Sequence, residues 1–158
     1  MENDRKAEPD VKAQVFALVE AVVEARPFHP STLAEKAKVE LDVADRRSNP
    51  YFVVWEGEGT EGSLVARAEV RVPTGKGPSK DGLVVLKLSA AAGSAVVERD
   101  VFAKWGDGPE VRPPNPTGPA DLPVHYLYRL PWGTLSFGFS RAEPAHLVEV
   151  VLDATGAR

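Results

Sequence analysis

The pattern of a helix followed by three strands occurs twice along this chain of 158 residues. Helical patterns cover residues 31–41 and 97–105. Strand-like patterns follow the first at 51–56, 63–72 and 83–88, and the second at 124–130, 134–139 and 147–152. We therefore predict an α+β fold in which two pseudo-repeated helix-plus-three-strand units form one curved antiparallel sheet, with helices packed on one face.

The size of the chain fits a single domain spanning residues 1–158. Pseudo-repeat 1 should cover about residues 10–92 and pseudo-repeat 2 about residues 93–153. A hydrophobic content of 43% is enough for a core without covalent staples. The sequence contains no cysteine, which excludes disulfides, thiolate metal sites and a cysteine nucleophile.

Helical periodicity is strongest before the first repeat. Apolar residues from Val11 to Val23 recur every three to four positions and predict an amphipathic helix. Thr32 and Glu35 have the spacing of a capping box, so a second helix should begin at Ser31 or Thr32. Within residues 97–105 the apolar positions again lie on one helical face, and Gly106 fits the end of that helix.

Strand periodicity is clearest in residues 64–72, where apolar residues alternate with polar ones. Such alternation predicts one buried and one wet face, which is typical of antiparallel sheets. The segment 109–123 contains six prolines. We expect an extended connector there, which cannot be a central strand because proline lacks the amide donor.

Charge and hydropathy limit the partners and the cellular compartment that we expect for the chain. The formal net charge is −4, with acidic and basic residues interspersed, so we expect no nucleic-acid partner. No apolar run approaches the roughly 20 residues that span a bilayer, and we expect no membrane insertion. The charged start at residues 1–8 favours a cytoplasmic protein, or a periplasmic or secreted one if an export signal had been removed.

No catalytic or cofactor motif accompanies these elements. The three histidines, His29, His125 and His146, lie in different elements without ligand-type spacing. A glycine-rich stretch at 74–79 lacks the spacing of a phosphate loop, and Ser136 lies in a strand without the first glycine of a nucleophile elbow. We expect a protein that is not an enzyme and that uses no metal or other cofactor.

The second half carries a helix, an aromatic hairpin and a valine-rich last strand in residues 100–106, 126–128, 133–139 and 147–152. This pattern resembles the repeat unit of the β-lactamase-inhibitor-protein-like superfamily, to which small outer-membrane-assembly lipoproteins also belong. The sequence shows one helix in its second half, where the tandem inhibitors have two. The resemblance implies a sheet with helices on one side and the other side free to meet a protein.

Several polar and aromatic strand residues are candidates for that free side. Arg, Trp and Tyr dominate binding hot spots. The predicted partner-binding residues are Tyr51, Trp55, Arg67, Glu69, Arg71, Lys87, His125, Arg129 and Trp132. Each also has an ordinary structural interpretation, since aromatic residues on strands are usually core and a charged row is usually solvated. For strands 51–56 and 124–130, the pattern leaves open which alternate set faces inward.

The function that these expectations favour is protein binding. The specific form is an inhibitor or immunity-type protein that occludes a bacterial enzyme or toxin with its open sheet face. An envelope assembly or scaffolding module, the soluble part of an exported lipoprotein, is the alternative. A third class, a small-molecule binder, would require a sizeable apolar pocket in the curve of the sheet.

Overall fold

The computed structural model describes residues 10–142 and 144–156. The charged residues 1–8, which favour the cytoplasmic expectation, lie outside these ranges. The helices are α1 (Val11–Glu24), α2 (Pro30–Ala37), α3 (Ala90–Gly93) and α4 (Glu98–Trp105). The strands are β1 (Asp42–Val43), β2 (Phe52–Glu58), β3 (Val65–Pro73), β4 (Leu83–Leu88), β5 (Glu110–Arg112), β6 (Val124–Leu130), β7 (Gly133–Phe139) and β8 (Leu147–Asp153).

All eight strands form one antiparallel sheet in the order β1-β2-β3-β4-β8-β7-β6-β5. The prediction of an α+β fold with an antiparallel sheet is therefore confirmed. Two meanders meet at the centre, where β4 pairs with β8 and Leu86 lies opposite Val150. In each half the last strand is the innermost one. The residue-by-residue equivalence of the two halves and the curvature of the sheet stay predictions.

The core lies between the helices and one face of the sheet. Helix α1 presents an apolar stripe to it, and the fully buried strand residues on that face include Val70, Leu86 and Phe137. Aromatic contacts join the layers. Phe16 of α1 lies 5.0 Å from Trp105 of α4 between ring centroids, and Trp105 lies 4.7 Å from Phe137 of β7. The helices are thus fixed to one side of the sheet.

Helix α2 begins earlier and ends earlier than predicted. His29 is the capping residue and Pro30 occupies the first turn, so the helix does not start at Thr32. It ends at Ala37 because Lys38 takes a left-handed conformation with φ of 55°. The chain then becomes extended, and the Glu40 amide donates to the Glu58 carbonyl at 3.0 Å.

Strand β3 contains a bulge between Val65 and Arg67. The simple alternation predicted that Ala66 is on the same face as Ala68, yet Ala66 is exposed and Val65 is 1% exposed. A bulge inserts one extra residue and so shifts the facing of everything before it. The alternation holds from Arg67 onward, which is the part that carries the predicted binding residues.

Three short elements were not predicted. Helix α3 is capped by Ser89, whose hydroxyl accepts from the Ala92 amide at 3.2 Å, and it lies at the predicted boundary between the two halves. Strand β1 pairs with β2 at one edge of the sheet. Strand β5 comes from the proline-rich connector and pairs with β6 at the other edge, a position compatible with the proline that follows it.

Within the described residues, no helix combines the length and the apolar character that crossing a bilayer requires.

Candidate functional site

Alternate strand residues point away from the helices and form a surface that we call the open face. Antiparallel partners share a face, so the register assigns its members to three rows across the sheet. The central row comprises Glu56, Glu69, Val85, Val151, Ser136, Leu127 and Glu110. One flanking row comprises Glu58, Arg67, Lys87, Glu149, Gly138, His125 and Arg112. The other comprises Val54, Arg71, Leu83, Asp153, Thr134 and Arg129.

The register brings together most of the residues predicted for partner binding. Those on the open face are Arg67, Glu69, Arg71, Lys87, His125 and Arg129. They come from three strands, β3, β4 and β6, and β6 is separated from β4 in the sheet by β8 and β7. Lys87 lies directly opposite Glu149 across the junction of the two halves.

At the β2–β3 end, the open face carries an ion-pair network centred on Arg47. This residue follows β1, and its Nη1 lies 2.8 Å from the Glu56 Oε2 and 2.5 Å from the Glu69 Oε1. Arg71 donates its Nε–H to the other Glu69 oxygen at 2.6 Å, and the Arg67 Nη2 lies 3.3 Å from Glu56. The predicted Arg67, Glu69 and Arg71 are therefore already paired within the chain.

The network fixes the charge state of its central carboxylate. Burial disfavours the ionised form of Glu69, but hydrogen bonds from Arg47 and Arg71 outweigh burial, and the pKa of Glu69 is lowered. The same bond to Glu69, followed by that to Glu56, raises the pKa of Arg47. Both groups are charged at neutral pH, and the loop that carries Arg47 is tied to the sheet.

A second polar cluster spans three strands around Gly138. The His125 Nε2 lies 2.8 Å from the Glu149 Oε2, reaching over β7 at Gly138. A Cβ at Gly138 would lie 2.9 Å from the Glu149 Cγ and 3.0 Å from the His125 ring, so a glycine there leaves room for the contact. The hydrogen bond from His125, opposed by burial and supported by the charges of His125 and Lys87, lowers the pKa of Glu149.

Ser136 extends this cluster, since its hydroxyl lies 3.2 Å from the His125 Nδ1. Hydroxyl, imidazole and carboxylate thus stand in series, which is the order of a charge-relay triad. Ser136 is only 7% exposed and lies in the middle of β7, where backbone amides belong to the strand ladders and not to an oxyanion hole. The chemical consequence of the series is a fixed orientation for the His125 ring.

The third ionic group lies on β5 and β6. Glu110 accepts from the Arg112 Nε at 2.6 Å and from the Arg129 Nη2 at 3.0 Å. Hydrogen bonds from Arg112 and then Arg129 lower the pKa of Glu110 against the opposing effect of burial. This group connects the short edge strand to the sheet, and it places two guanidinium groups at the rim of the open face.

Between these ionic groups lie apolar side chains that are separate from the main core cluster, although Val54 is itself buried at 2% exposure. Five apolar residues in the three rows stand outside the core cluster, namely Val54, Leu83, Val85, Leu127 and Val151. Val85, Val151 and Leu127 share the central row with Ser136, and we call these three the apolar strip. Leu127 is 8% exposed, whereas Val85 and Val151 are half-buried.

The three aromatic residues predicted for partner binding lie outside the three rows of the open face. Trp55 pairs with Val70 on the helix side and lines a cleft with Leu41. Trp132 packs against the core, and the Arg26 guanidinium lies 4.9 Å from its ring centroid. Tyr51 precedes β2 and is 54% exposed beside Gly77.

Three contributors to this face could not be predicted from the local sequence pattern. Arg47 lies in a turn, and only the folded loop brings it to Glu56 and Glu69. Leu127 and Val151 look like ordinary strand core residues in a sequence. The neighbouring residues Tyr126 and Val150 indicate their facing, because these two pack on the helix side and adjacent strand residues point to opposite faces.

No known protein family, curated protein or solved structure matches this chain. Among the residues that the structure describes, no three acidic or histidine side chains are grouped so that they could hold a metal ion.

Proposed function

We propose that the chain is a protein-binding protein that docks its partner on the open face. The specific form of the proposal is an inhibitor or immunity-type protein that occludes a bacterial enzyme or toxin. The supporting observation is the apolar strip on the side of the sheet away from the helices, framed by arginine side chains. Apolar surface framed by Arg has the composition of an interface core and its rim.

The size of the face also fits a protein partner. Five strand intervals separate β2 from β6 in the sheet order. At about 4.8 Å per interval and about 3.4 Å per residue, the face measures roughly 24 Å in each direction. A patch of this size is comparable with the roughly 800 Å² of accessible surface that each partner buries in a standard interface.

The polar groups of the face are held in place before any partner arrives. Arg47, Arg71 and Arg129 each contact a carboxylate of the same face. Preorganised side chains lose less entropy when a partner binds. A face of this kind can bind tightly without rearrangement, which suits occlusion of an enzyme or toxin.

Two matched substitutions test the proposal. Val151→Arg places a charge in the apolar strip, whereas Val111→Arg makes the same change at a residue that is 56% exposed on β5, in register with Tyr126 on the helix side. Tagged proteins would capture partners from an extract of the native host, with mass spectrometry and circular dichroism as readouts. We expect Val151→Arg to lose a stoichiometric partner that Val111→Arg retains. Equal capture by two folded variants would reject the open face.

The inhibitor and the envelope-assembly alternative differ in what binding does. An inhibitor lowers the activity of its captured partner in proportion to the amount added, up to one equivalent. An assembly module binds a partner without abolishing a catalytic activity. Titrating the purified chain into the captured partner therefore separates them, and Val151→Arg serves as the inactive control in both cases.

A further inference from the structure

The arginine side chains of the open face are more exposed than most of its carboxylates. Three carboxylates are largely covered, with side chains that are 15% exposed at Glu69, 20% at Glu149 and 26% at Glu56, whereas Glu110 at 43% and Glu58 are exposed. The guanidinium groups range from 43% exposed at Arg71 to 66% at Arg129. A partner that approaches this face therefore meets more exposed cations than exposed carboxylates, although the chain as a whole carries a net charge of −4.

These cations keep donors for a partner. A guanidinium group has five N–H donors in a planar fork. Arg71 uses its Nε–H on Glu69, and Arg129 uses an Nη2–H on Glu110. The remaining terminal N–H groups suit carboxylates, which arginine binds in a bidentate manner.

The cations flank the apolar strip on both sides. Arg71 and Arg129 lie in one flanking row, whereas Arg67, Lys87 and Arg112 lie in the other. Rows two residues apart on a strand are separated by about 7 Å, so the two cationic rows lie roughly 14 Å apart. An α-helix with its side chains is about 10–12 Å wide, and it fits between them.

We propose that the partner presents to this face an amphipathic helix whose apolar stripe is flanked on both sides by Glu or Asp. The apolar stripe contacts Val85, Val151 and Leu127, and the carboxylates bind the arginine side chains of the flanking rows. This inference rests on the proposed function and specifies the chemistry of the partner's contact surface.

Three designed peptides of about 18 residues, long enough for a helix, test this assignment. They share one leucine stripe and carry Glu, Gln or Lys on both flanks. Titrated into the ¹⁵N-labelled chain, the Glu peptide should bind tightest and shift the amide signals of the apolar strip and its neighbours. General attraction to an acidic protein would favour the Lys peptide, so the expected order identifies the local charge. Higher salt should weaken the Glu peptide.

A double variant with a matched control sharpens the result. Arg71→Gln with Arg129→Gln should raise the Kd of the Glu peptide about fivefold, the effect of losing two exposed ion pairs. Lys36→Gln with Arg99→Gln removes the same charge from α2 and α4 and should leave that Kd unchanged.

Two results would overturn the inference. If the Lys peptide binds the strip as tightly as the Glu peptide, the acidic preference is wrong while the open face survives as a docking surface. If no peptide shifts the strip, or the shifts map to the helices, the helical occupant is wrong. The proposed function is judged separately, by the capture experiment with Val151→Arg, since a partner could use that face with a different contact surface.

Discussion

Adjacent valines on β4 offer the sharpest test of the two-faced sheet. Val84 is 0% exposed and lies opposite Val70 and Leu152 in the core. Val85 points the other way, opposite Glu69 and Val151, and is half-buried. The same substitution, Val→Ala, therefore probes opposite faces at neighbouring positions of one strand.

The expected losses follow from the surroundings of each side chain. Removing two methyl groups from Val84 costs about 1.6 kcal/mol of transfer free energy, and the cavity left behind brings the loss of unfolding free energy to about 2–3 kcal/mol. Val85 loses about half of that transfer term, about 0.8 kcal/mol, and leaves no enclosed cavity. The lower strand propensity of alanine affects both variants and cancels in their difference.

Urea unfolding followed by circular dichroism measures both variants. We expect Val84→Ala to be less stable than Val85→Ala by about 1–2 kcal/mol, with unchanged slopes. A larger loss at Val85, or equal losses, would show that helices or another element cover the face that we describe as open. Val85→Ala should also weaken partner binding more than Val84→Ala does.

Three further outcomes follow from single contacts. The pKa of Glu149 is lowered, so its ionised form stabilises the fold above the unfolded pKa of about 4.3, and this contribution is lost as the pH falls. Glu149→Gln should therefore flatten the acid side of the profile of stability against pH. An unchanged acid side would show that the contact with His125 is absent. Burial, followed by a hydrogen bond to a glutamate of α4, raises the pKa of Tyr126 to about 12. The stability that this phenol contributes below pH 10 should therefore fall as the pH rises towards 12, and Tyr126→Phe should remove that fall. An absorbance titration in which Tyr126 ionises like an ordinary phenol would contradict the prediction. Gly133 has φ of 154°, and a Cβ there would lie 2.2 Å from a backbone oxygen of β8. Gly133→Ala should therefore lower the free energy of unfolding by at least about 1–3 kcal/mol in the same urea assay. Gly108 has open space around it, so Gly108→Ala should leave the free energy of unfolding unchanged.

Strand periodicity predicted the sheet well where one alternate set was apolar and the other charged. The bounds of β4 and β6 agree with the predicted segments 83–88 and 124–130. In β3 the charges at Arg67, Glu69 and Arg71 left one choice for the core side, and the structure adopts it. A charged set cannot be buried without partners, so the pattern decides the facing.

The prediction failed where both alternate sets were apolar or where the contact was long-range. In β2, Val54 and Trp55 are both acceptable core residues, so the pattern does not decide which of them faces the helices. Trp55 is on the helix side, where it lines a cleft with Leu41 and the start of α2. The bulge at Val65 changes the facing without any special residue type. The position of Arg47 depends on how a turn folds across β2 and β3, which local pattern does not encode.

The placement of β8 has a consequence for biosynthesis and truncation. It is the last of the eight strands in chain order, yet it lies in the middle of the sheet between β4 and β7. Until it emerges from the ribosome, the earlier strands can form only two separate ribbons, each with an unpaired inner margin open to aggregation. Removal of residues 147–153 would therefore divide the sheet in two.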